Sequence, residues 1–187
     1  MNKHLGGHGG KTWIDEGALS YLSNTLSIKT MVDIGCGPAG MKDIAKKLGI
    51  DWTGVDGDEE LFELYGIRGA IKHDFTKGKV QTSKVFDLAW SVEFLEHVEE
   101  KYQDNYMSLF ERCSFVICTA APVGWGGHHH VNEQPREYWT NVFSKYGFKH
   151  NKKMLDEILK HSTMRKTNKH GLNGSFLSLS GMFFERV

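Results

Sequence analysis

The chain has 187 residues, 40% of them hydrophobic and 25% charged, which fits one globular domain with a self-sustaining core. Its 23 basic and 23 acidic residues cancel, which excludes a global positive field for binding nucleic acid and leaves open only a local patch. No run approaches the roughly 18 apolar residues that span a bilayer, and three cysteines, an odd number, indicate reduced thiols. We therefore expect a cytoplasmic protein without membrane contacts, with a flexible glycine-rich tail over residues 1–12 and a single domain over 13–187.

Helices and buried strands are predicted to alternate along the whole chain. The spacing of apolar residues predicts helices over 13–28, 41–48, 59–65, 99–111, 136–146 and 155–166, and strands over 29–34, 52–55, 67–71, 85–90, 114–120, 148–154 and within 176–184. The polar segment 167–175 is predicted to be a solvated loop. Continuous apolar strands that alternate with helices are typical of parallel sheets covered on both faces. The pattern predicts an α/β fold with a Rossmann-like, doubly wound, mostly parallel seven-stranded sheet, whose ligands bind beyond the carboxyl ends of the strands.

A glycine-rich loop joins the first predicted strand to the following helix. Gly35, Gly37 and Gly40 within VDIGCGPAG spell G-x-G-x-x-G, and glycines at such a turn let a ligand approach the backbone. Asp56 ends the next strand, about 20 residues further on, where a carboxylate can accept hydrogen bonds from two ribose hydroxyls. Nicotinamide dinucleotides and S-adenosylmethionine both use such an acidic residue, so the loop and Asp56 together leave both ligands open.

Asp33, just ahead of the loop, distinguishes the two ligands. A pyrophosphate favours a loop without nearby negative charge, because the helix N-terminus must attract the anion. S-adenosylmethionine instead carries a sulfonium and an ammonium group, which a carboxylate complements. Asp33 therefore favours S-adenosylmethionine over a nicotinamide cofactor.

Four motifs resemble those of the class I S-adenosylmethionine-dependent methyltransferases over roughly residues 30–120. DIGCGPAG at 33–40 is similar to the first motif, GVDGD at 54–58 to the second, HDFT at 73–76 to the adenine-contacting segment, and FDLAWSVEFLEHVEE at 86–100 to the fourth. The resemblance implies S-adenosylmethionine as cofactor and S-adenosylhomocysteine as product. It implies that Asp56 binds the ribose, that Asp74 accepts from the adenine amine, that Phe75 packs on the ring, and that Ser91 or Glu93 faces the methionine end. The implied cofactor-binding residues are Asp33, Gly35, Cys36, Gly37, Gly40, Asp56, Gly57, Asp74, Phe75, Ser91 and Glu93.

Two histidines are candidates for the chemistry of methyl transfer. His97 follows the fourth predicted strand, where the acceptor should lie, and an imidazole can accept a proton near neutral pH; the alternative is a capping or supporting residue in the Glu-His-Val turn. His130 belongs to the cluster 128–130 in a glycine-containing loop after the fifth strand, and it can supply a base, contact substrate or lie in a solvated cluster. Consecutive histidines do not easily face one ion, and no Cys/His pair with zinc-like spacing accompanies them, so we expect no metal site.

These features predict an S-adenosylmethionine-dependent methyltransferase that acts on a small-molecule acceptor, with a hydroxyl as one possible target. The segment 130–148 resembles a region of small-molecule members of the family. Three alternatives stay open: an RNA methyltransferase using basic residues near 149–153 and 160–169, a catalytically inactive binding protein, and, least favoured, an NAD-dependent oxidoreductase. The chain has three prolines, and none belongs to a Pro-Pro-aromatic or Pro-Cys motif, which disfavours methylation of DNA bases. The oligomeric state and the acceptor are not determined by the sequence.

Overall fold

Seven strands build the main sheet of the protein. The computed structural model describes residues 4–164, 166–167 and 173–187. The sheet strands are β1 (Thr30–Ile34), β2 (Asp51–Asp56), β3 (Ala70–Lys72), β4 (Phe86–Ser91), β5 (Cys113–Cys118), β6 (Phe148–His150) and β7 (Met182–Arg186). Their order is β3-β2-β1-β4-β5-β7-β6; β1 to β5 are parallel, and β7 is antiparallel to both of its neighbours. A short antiparallel pair, Lys166–Thr167 with Asn173–Gly174, is separate from this sheet.

Helices cover both faces of the sheet, as predicted. They are α1 (Glu16–Leu26), α2 (Gly40–Lys47), α3 (Glu59–Tyr65), α4 (Gln103–Phe110), α5 (Arg136–Lys145), α6 (Lys152–His161) and α7 (Phe176–Ser180), together with 3₁₀ turns at Phe75–Lys77, Leu95–His97 and Glu100–Tyr102. One apolar cluster joins α4 and α5 to the sheet, and a second joins α1, α2, α6 and α7 to it. The predicted α/β, mostly parallel seven-stranded fold is confirmed. No helix in the described part of the chain is both long and apolar enough to cross a bilayer.

The connections of β1 determine where a ligand can bind. β1 pairs with β2 on one side and with β4 on the other. The chain therefore leaves the carboxyl ends of these neighbouring strands in opposite directions along the sheet, which opens a crevice there. The predicted glycine loop and the residues after β2 and β4 all lie at this edge.

Local capping changes two predicted strand boundaries, and one predicted helix begins differently from the prediction. The strand predicted over 148–154 ends at His150, because Asn151 accepts a hydrogen bond from the Met154 N–H (2.9 Å) and begins α6 at Lys152. The final strand begins only at Met182, since Ser175 caps the unpredicted helix α7. The helix predicted over 99–111 begins as a 3₁₀ turn. Residues 168–172, in the middle of the predicted solvated loop, and residues 1–3 of the predicted tail lie outside the described residues.

The buried carboxylate of Asp15 joins α1 to the segment after α6. Asp15 Oδ1 accepts from the N–H groups of Ala18 (2.9 Å) and Thr163 (2.8 Å), and Oδ2 accepts from the Ser162 hydroxyl. Asp15 is fully buried. One carboxylate thus caps a helix and holds two distant segments together, so its removal leaves several donors without partners.

We expect Asp15→Ala to lower the free energy of unfolding by about 2–4 kcal/mol, because buried donors lose their acceptor. The matched control is Asp156→Ala, which removes an exposed carboxylate paired with Lys152 within α6 and should cost less than about 0.5 kcal/mol. Urea denaturation of both variants measures the difference. Equal costs for the two substitutions would contradict the role of Asp15.

Candidate functional site

A cavity of about 400 Å³ opens at the carboxyl ends of β1, β2 and β4. This volume lies within the range of small-molecule and cofactor sites, roughly 300–1,000 Å³. Eleven of the predicted site residues line it: Asp33, Gly35, Cys36, Gly37, Asp56, Gly57, Asp74, Phe75, Glu93, His97 and His130. Gly40 and Ser91 are not among the lining residues.

The glycine turn after β1 packs tightly against its surroundings. Gly35 has φ of +74° and Gly37 has φ of +49°, both in the left-handed region that favours glycine. The Gly35 N–H donates to the Val55 carbonyl (2.8 Å), and a Cβ on Gly35 would lie 2.7 Å from the Phe94 ring. Gly40 serves another contact, since its N–H donates to the Thr12 hydroxyl (3.0 Å). Gly35 and Gly37 therefore present backbone without a Cβ to the cavity.

The carboxylate of Asp56 connects the end of β2 to the glycine turn. Its Oδ2 accepts from the Gly37 N–H (2.9 Å), and its Oδ1 accepts from the Asp58 N–H (2.9 Å). Burial raises the pKa of Asp56, while these two N–H groups and His8 oppose the rise. Each carboxylate oxygen still has a second lone pair for a ligand hydroxyl. The residue is thus oriented by backbone and retains acceptor capacity.

Asp33 places a second carboxyl group on the cavity wall. It is 4% exposed and accepts a hydrogen bond from the Trp52 indole N–H (3.2 Å). Burial raises the pKa of Asp33 to about 7; the Trp52 bond opposes this, and the charge of Asp56 adds to it. A cationic ligand would favour the ionised form of this carboxyl group.

The residues after β3 and β4 lie in different environments. Asp74 caps the 3₁₀ turn that follows β3, and the ring of Phe75 stands edge-on to Phe94, with centroids 5.6 Å apart. Ser91 is fully buried below the cavity, and its hydroxyl donates to the Ile34 carbonyl (3.0 Å). Glu93 accepts from the Thr119 hydroxyl (2.9 Å). Of the two residues proposed for the methionine end, only Glu93 faces the cavity.

Residues 4–12 form part of the cavity wall, which the sequence did not indicate. His4 Nε2 donates to Asp74 Oδ2, and His8 Nε2 donates to Asp58 Oδ2, both at 3.0 Å. Leu5 approaches Gly57 so closely that a Cβ there would lie 2.8 Å from it. Histidines within the glycine-rich tail were the available signal for these contacts. Flexibility of residues 1–12 stays a prediction.

His97 and His130 meet at the other end of the cavity. Their ring centroids are 4.9 Å apart and their planes nearly perpendicular. The Glu96 carbonyl accepts from the N–H groups of Val131 (2.9 Å) and Asn132 (3.1 Å), which fixes the loop carrying His130 to the turn carrying His97. Burial lowers the pKa of His97 to about 4, with His130 adding to the effect, so this imidazole is neutral at pH 7.

A carboxylate supports His130, and sequence reasoning did not assign it. His130 Nδ1 donates to Glu133 Oε1 (2.9 Å), and Glu133 Oε2 also accepts from the Gly124 N–H (2.8 Å). Glu133 thereby organises the loop that precedes α5. The only sign of this contact in the sequence is that Glu133 follows His130 by three residues.

Comparison with known proteins identifies relatives of this region. Residues 32–114 match a family model described as a methyltransferase domain. The ubiquinone biosynthesis O-methyltransferase of Bordetella avium (strain 197N) is 24% identical over 134 residues, which cover 67% of this chain and 50% of that protein. The chain thus spans about half the length of the curated relatives it matches.

Solved structures share the fold over nearly the whole chain. The methyltransferase domain of bacterial CtHen1 superposes with a TM-score of 0.59 at 15% identity, covering 92% of this chain and 97% of that one. Magnesium protoporphyrin IX methyltransferase from Synechocystis PCC 6803, crystallised with bound S-adenosylmethionine, superposes with a TM-score of 0.61 at 14% identity. The superposition covers 91% of this chain and 76% of that one. At these identities the likeness is one of fold.

The pKa of Asp33 makes stability depend on pH. Its folded value of about 7 lies above the ordinary 3.8, so ionisation disfavours the folded state increasingly as pH rises from about 4 through 7. We expect Asp33→Asn to gain about 2–4 kcal/mol of unfolding free energy relative to the parent between pH 4 and pH 8. Denaturation at both pH values, with the exposed Asp51→Asn as control, measures this gain. A parent-to-variant difference that stays constant with pH would contradict the assignment.

Proposed function

We propose that the chain is a class I S-adenosylmethionine-dependent methyltransferase, which transfers the methyl group of S-adenosylmethionine to a hydroxyl of a small-molecule acceptor. One observation carries the proposal: Asp56 and the turn at Gly35 and Gly37 share a single cavity with His97 and His130. The family match over residues 32–114 supports the cofactor, and relatives named as O-methyltransferases support oxygen as the acceptor atom.

The residues around the glycine turn fit S-adenosylmethionine. Asp56 has acceptor capacity for two ribose hydroxyls, and its carboxylate is already oriented by the Gly37 N–H. We assign Asp33 to the cationic methionine end and Asp74 and Phe75 to the adenine ring, and all three residues line the cavity. When bound, S-adenosylmethionine supplies an electrophilic methyl group on its sulfonium.

The acceptor end must hold a hydroxyl in line with that methyl group and remove its proton. We assign that task to His97 and His130, which line the cavity wall and whose neutral imidazoles can accept a proton. Phe94 and Trp125 add aromatic surface to the wall, which suits a planar acceptor. We assign this end of the cavity to the small molecule.

Two rival functions receive less support from the geometry. Nucleic-acid binding would use the lysines near α6, but Lys152 pairs with Asp156 and Lys160 pairs with Glu157, each at 2.7 Å. In the second basic segment, 160–169, residues 165, 168 and 169 lie outside the described residues. A nicotinamide pyrophosphate would lie beside Asp33, which opposes its negative charge.

We expect Asp56→Asn to weaken binding of S-adenosylhomocysteine by about 10- to 100-fold, because hydrogen bonds to a charged acceptor contribute about 1.5–3 kcal/mol. Asp51→Asn is the matched control, since Asp51 begins the strand that Asp56 ends and its side chain is exposed. Isothermal titration calorimetry measures the affinity of both variants for S-adenosylhomocysteine. Unchanged affinity in Asp56→Asn would refute the ribose assignment.

Methyl transfer is tested with labelled S-adenosylmethionine and a panel of phenols, catechols and sugars, beside an RNA oligonucleotide. We expect label only in hydroxylated small molecules, and His130→Asn should lower kcat by about 10²- to 10⁴-fold with unchanged S-adenosylhomocysteine affinity. Label in RNA alone would contradict the proposed acceptor class. Tight cofactor binding without turnover on either class would instead support a binding protein.

A further inference from the structure

Three side chains with metal-ligating atoms meet at the acceptor end of the cavity. Within the described residues, Glu96, His97 and His130 each offer one ligand atom, and these atoms lie within 4.8 Å of one another. Ligand atoms on one Zn²⁺ ion are about 3.3 Å apart, given bonds of roughly 2.0–2.2 Å. A small closing movement therefore suffices to bring the three groups onto one ion.

The buried atoms of this group are poorly hydrogen-bonded. Among the described residues, no hydrogen bond of good geometry reaches either carboxylate oxygen of Glu96 or the Nδ1 atom of His97, although the Ala121 N–H and the Glu93 carboxyl group lie beside Glu96. Glu96 is fully buried. Unpaired buried polar atoms are rare and costly in folded proteins, and several of them aimed at one point indicate a missing partner.

The surroundings of His130 match those of a metal-bound imidazole. Its Nδ1 donates to Glu133 Oε1 (2.9 Å), which leaves the lone pair of the neutral ring on Nε2. Metal-ligating histidines commonly donate their other N–H to a carboxylate, because this orients the ring and strengthens the ligand. Backbone bonds from Val131 and Asn132 to Glu96 hold the two ligand segments together.

We propose that Glu96, His97 and His130 bind one divalent first-row transition-metal ion, such as Zn²⁺ or Mn²⁺. Two imidazoles and one carboxylate suit these ions, whereas Ca²⁺ prefers oxygen ligands alone and Cu⁺ prefers sulfur. A cation also relieves the repulsion between Glu96 and the neighbouring Glu93. Sequence reasoning predicted no metal site, because His97 and His130 lie 33 positions apart and only the fold brings them together.

The metal site deepens the proposed function and, as a catalytic feature, rests on it. Three protein ligands leave coordination positions open, and both histidines face the cavity. Held by Glu96, His97 and His130, such an ion would lower the pKa of an acceptor hydroxyl, whose proton would then pass to solvent; with the metal bound, the histidines would be its ligands and would replace the role as bases given to them above. The transfer itself stays the same: the C–S bond of the cofactor breaks as the acceptor O–C bond forms.

The test is titration of the purified, EDTA-treated 187-residue chain with Co²⁺, followed by visible absorption, with Zn²⁺, Mn²⁺ and Ca²⁺ as competitors. We expect one equivalent of Co²⁺ to bind, displaced by Zn²⁺, by Mn²⁺ only when Mn²⁺ is in large excess, and not by Ca²⁺. Glu96→Gln and His130→Asn should each weaken binding at least tenfold. His129→Asn is the matched control, because His129 lies outside the three-ligand group and its φ of +48° is tolerated by asparagine.

Less than one equivalent in the parent, or equal affinity in Glu96→Gln, His130→Asn and His129→Asn, would overturn the site. Affinity for S-adenosylhomocysteine, measured on every variant, reports whether the fold and cofactor end are intact. If His130→Asn also loses affinity for S-adenosylhomocysteine, its loss of Co²⁺ binding is not specific to the metal site. The nearly isosteric Glu96→Gln then decides whether the site binds metal. Methylation that survives EDTA treatment would refute the metal's catalytic role and leave the proposed function standing. Metal binding without methylation of any acceptor would support the metal site and contradict the proposed function.

Discussion

The hydrogen bond from the Gly37 N–H to the Asp56 carboxylate joins the two strand ends on which the cofactor half of the site is built. β1 and β2 run parallel and in register, so the turn after one and the carboxylate ending the other reach the same edge. The left-handed Gly35 and Gly37 let the turn close against Val55 and Phe94 without a Cβ. This geometry orients Asp56 before any ligand arrives, which lowers the ordering cost of binding.

The acceptor half depends on a different contact. The Glu96 carbonyl accepts hydrogen bonds from the N–H groups of Val131 and Asn132. These bonds fix a loop after β5 to a turn after β4. Carboxyl groups from four segments, those of Asp33, Asp56, Asp74 and Glu93, line the cavity between the two halves. Such a wall complements a ligand with two positive centres and disfavours a pyrophosphate. Residues 4–12 complete the wall through the histidine contacts to Asp58 and Asp74.

Most of the fold, and the residues that line the cavity around the glycine turn, could be predicted because they rest on local patterns. Apolar strand runs, glycines at a strand-to-helix turn and an acidic residue ending β2 are visible in short windows of sequence. Two strand boundaries were misplaced because the apolar residues continue the strand pattern, whereas Asn151 and Ser175 cap helices there. Sequence reasoning missed the proximity of Glu96 to the predicted His97 and His130, and the bond from the buried Ser91 to the Ile34 carbonyl, because both arise from tertiary contacts.

Calorimetric titration of the purified chain with S-adenosylmethionine, S-adenosylhomocysteine and NADH, run in parallel under one set of conditions, tests whether this cavity binds the family's cofactor. The geometry around Asp33 and Asp56 leads us to expect dissociation constants in the micromolar range for the first two ligands and no measurable binding of NADH. Binding of NADH alone would mean that the glycine turn holds a dinucleotide pyrophosphate despite Asp33, and it would contradict the assignment of the site.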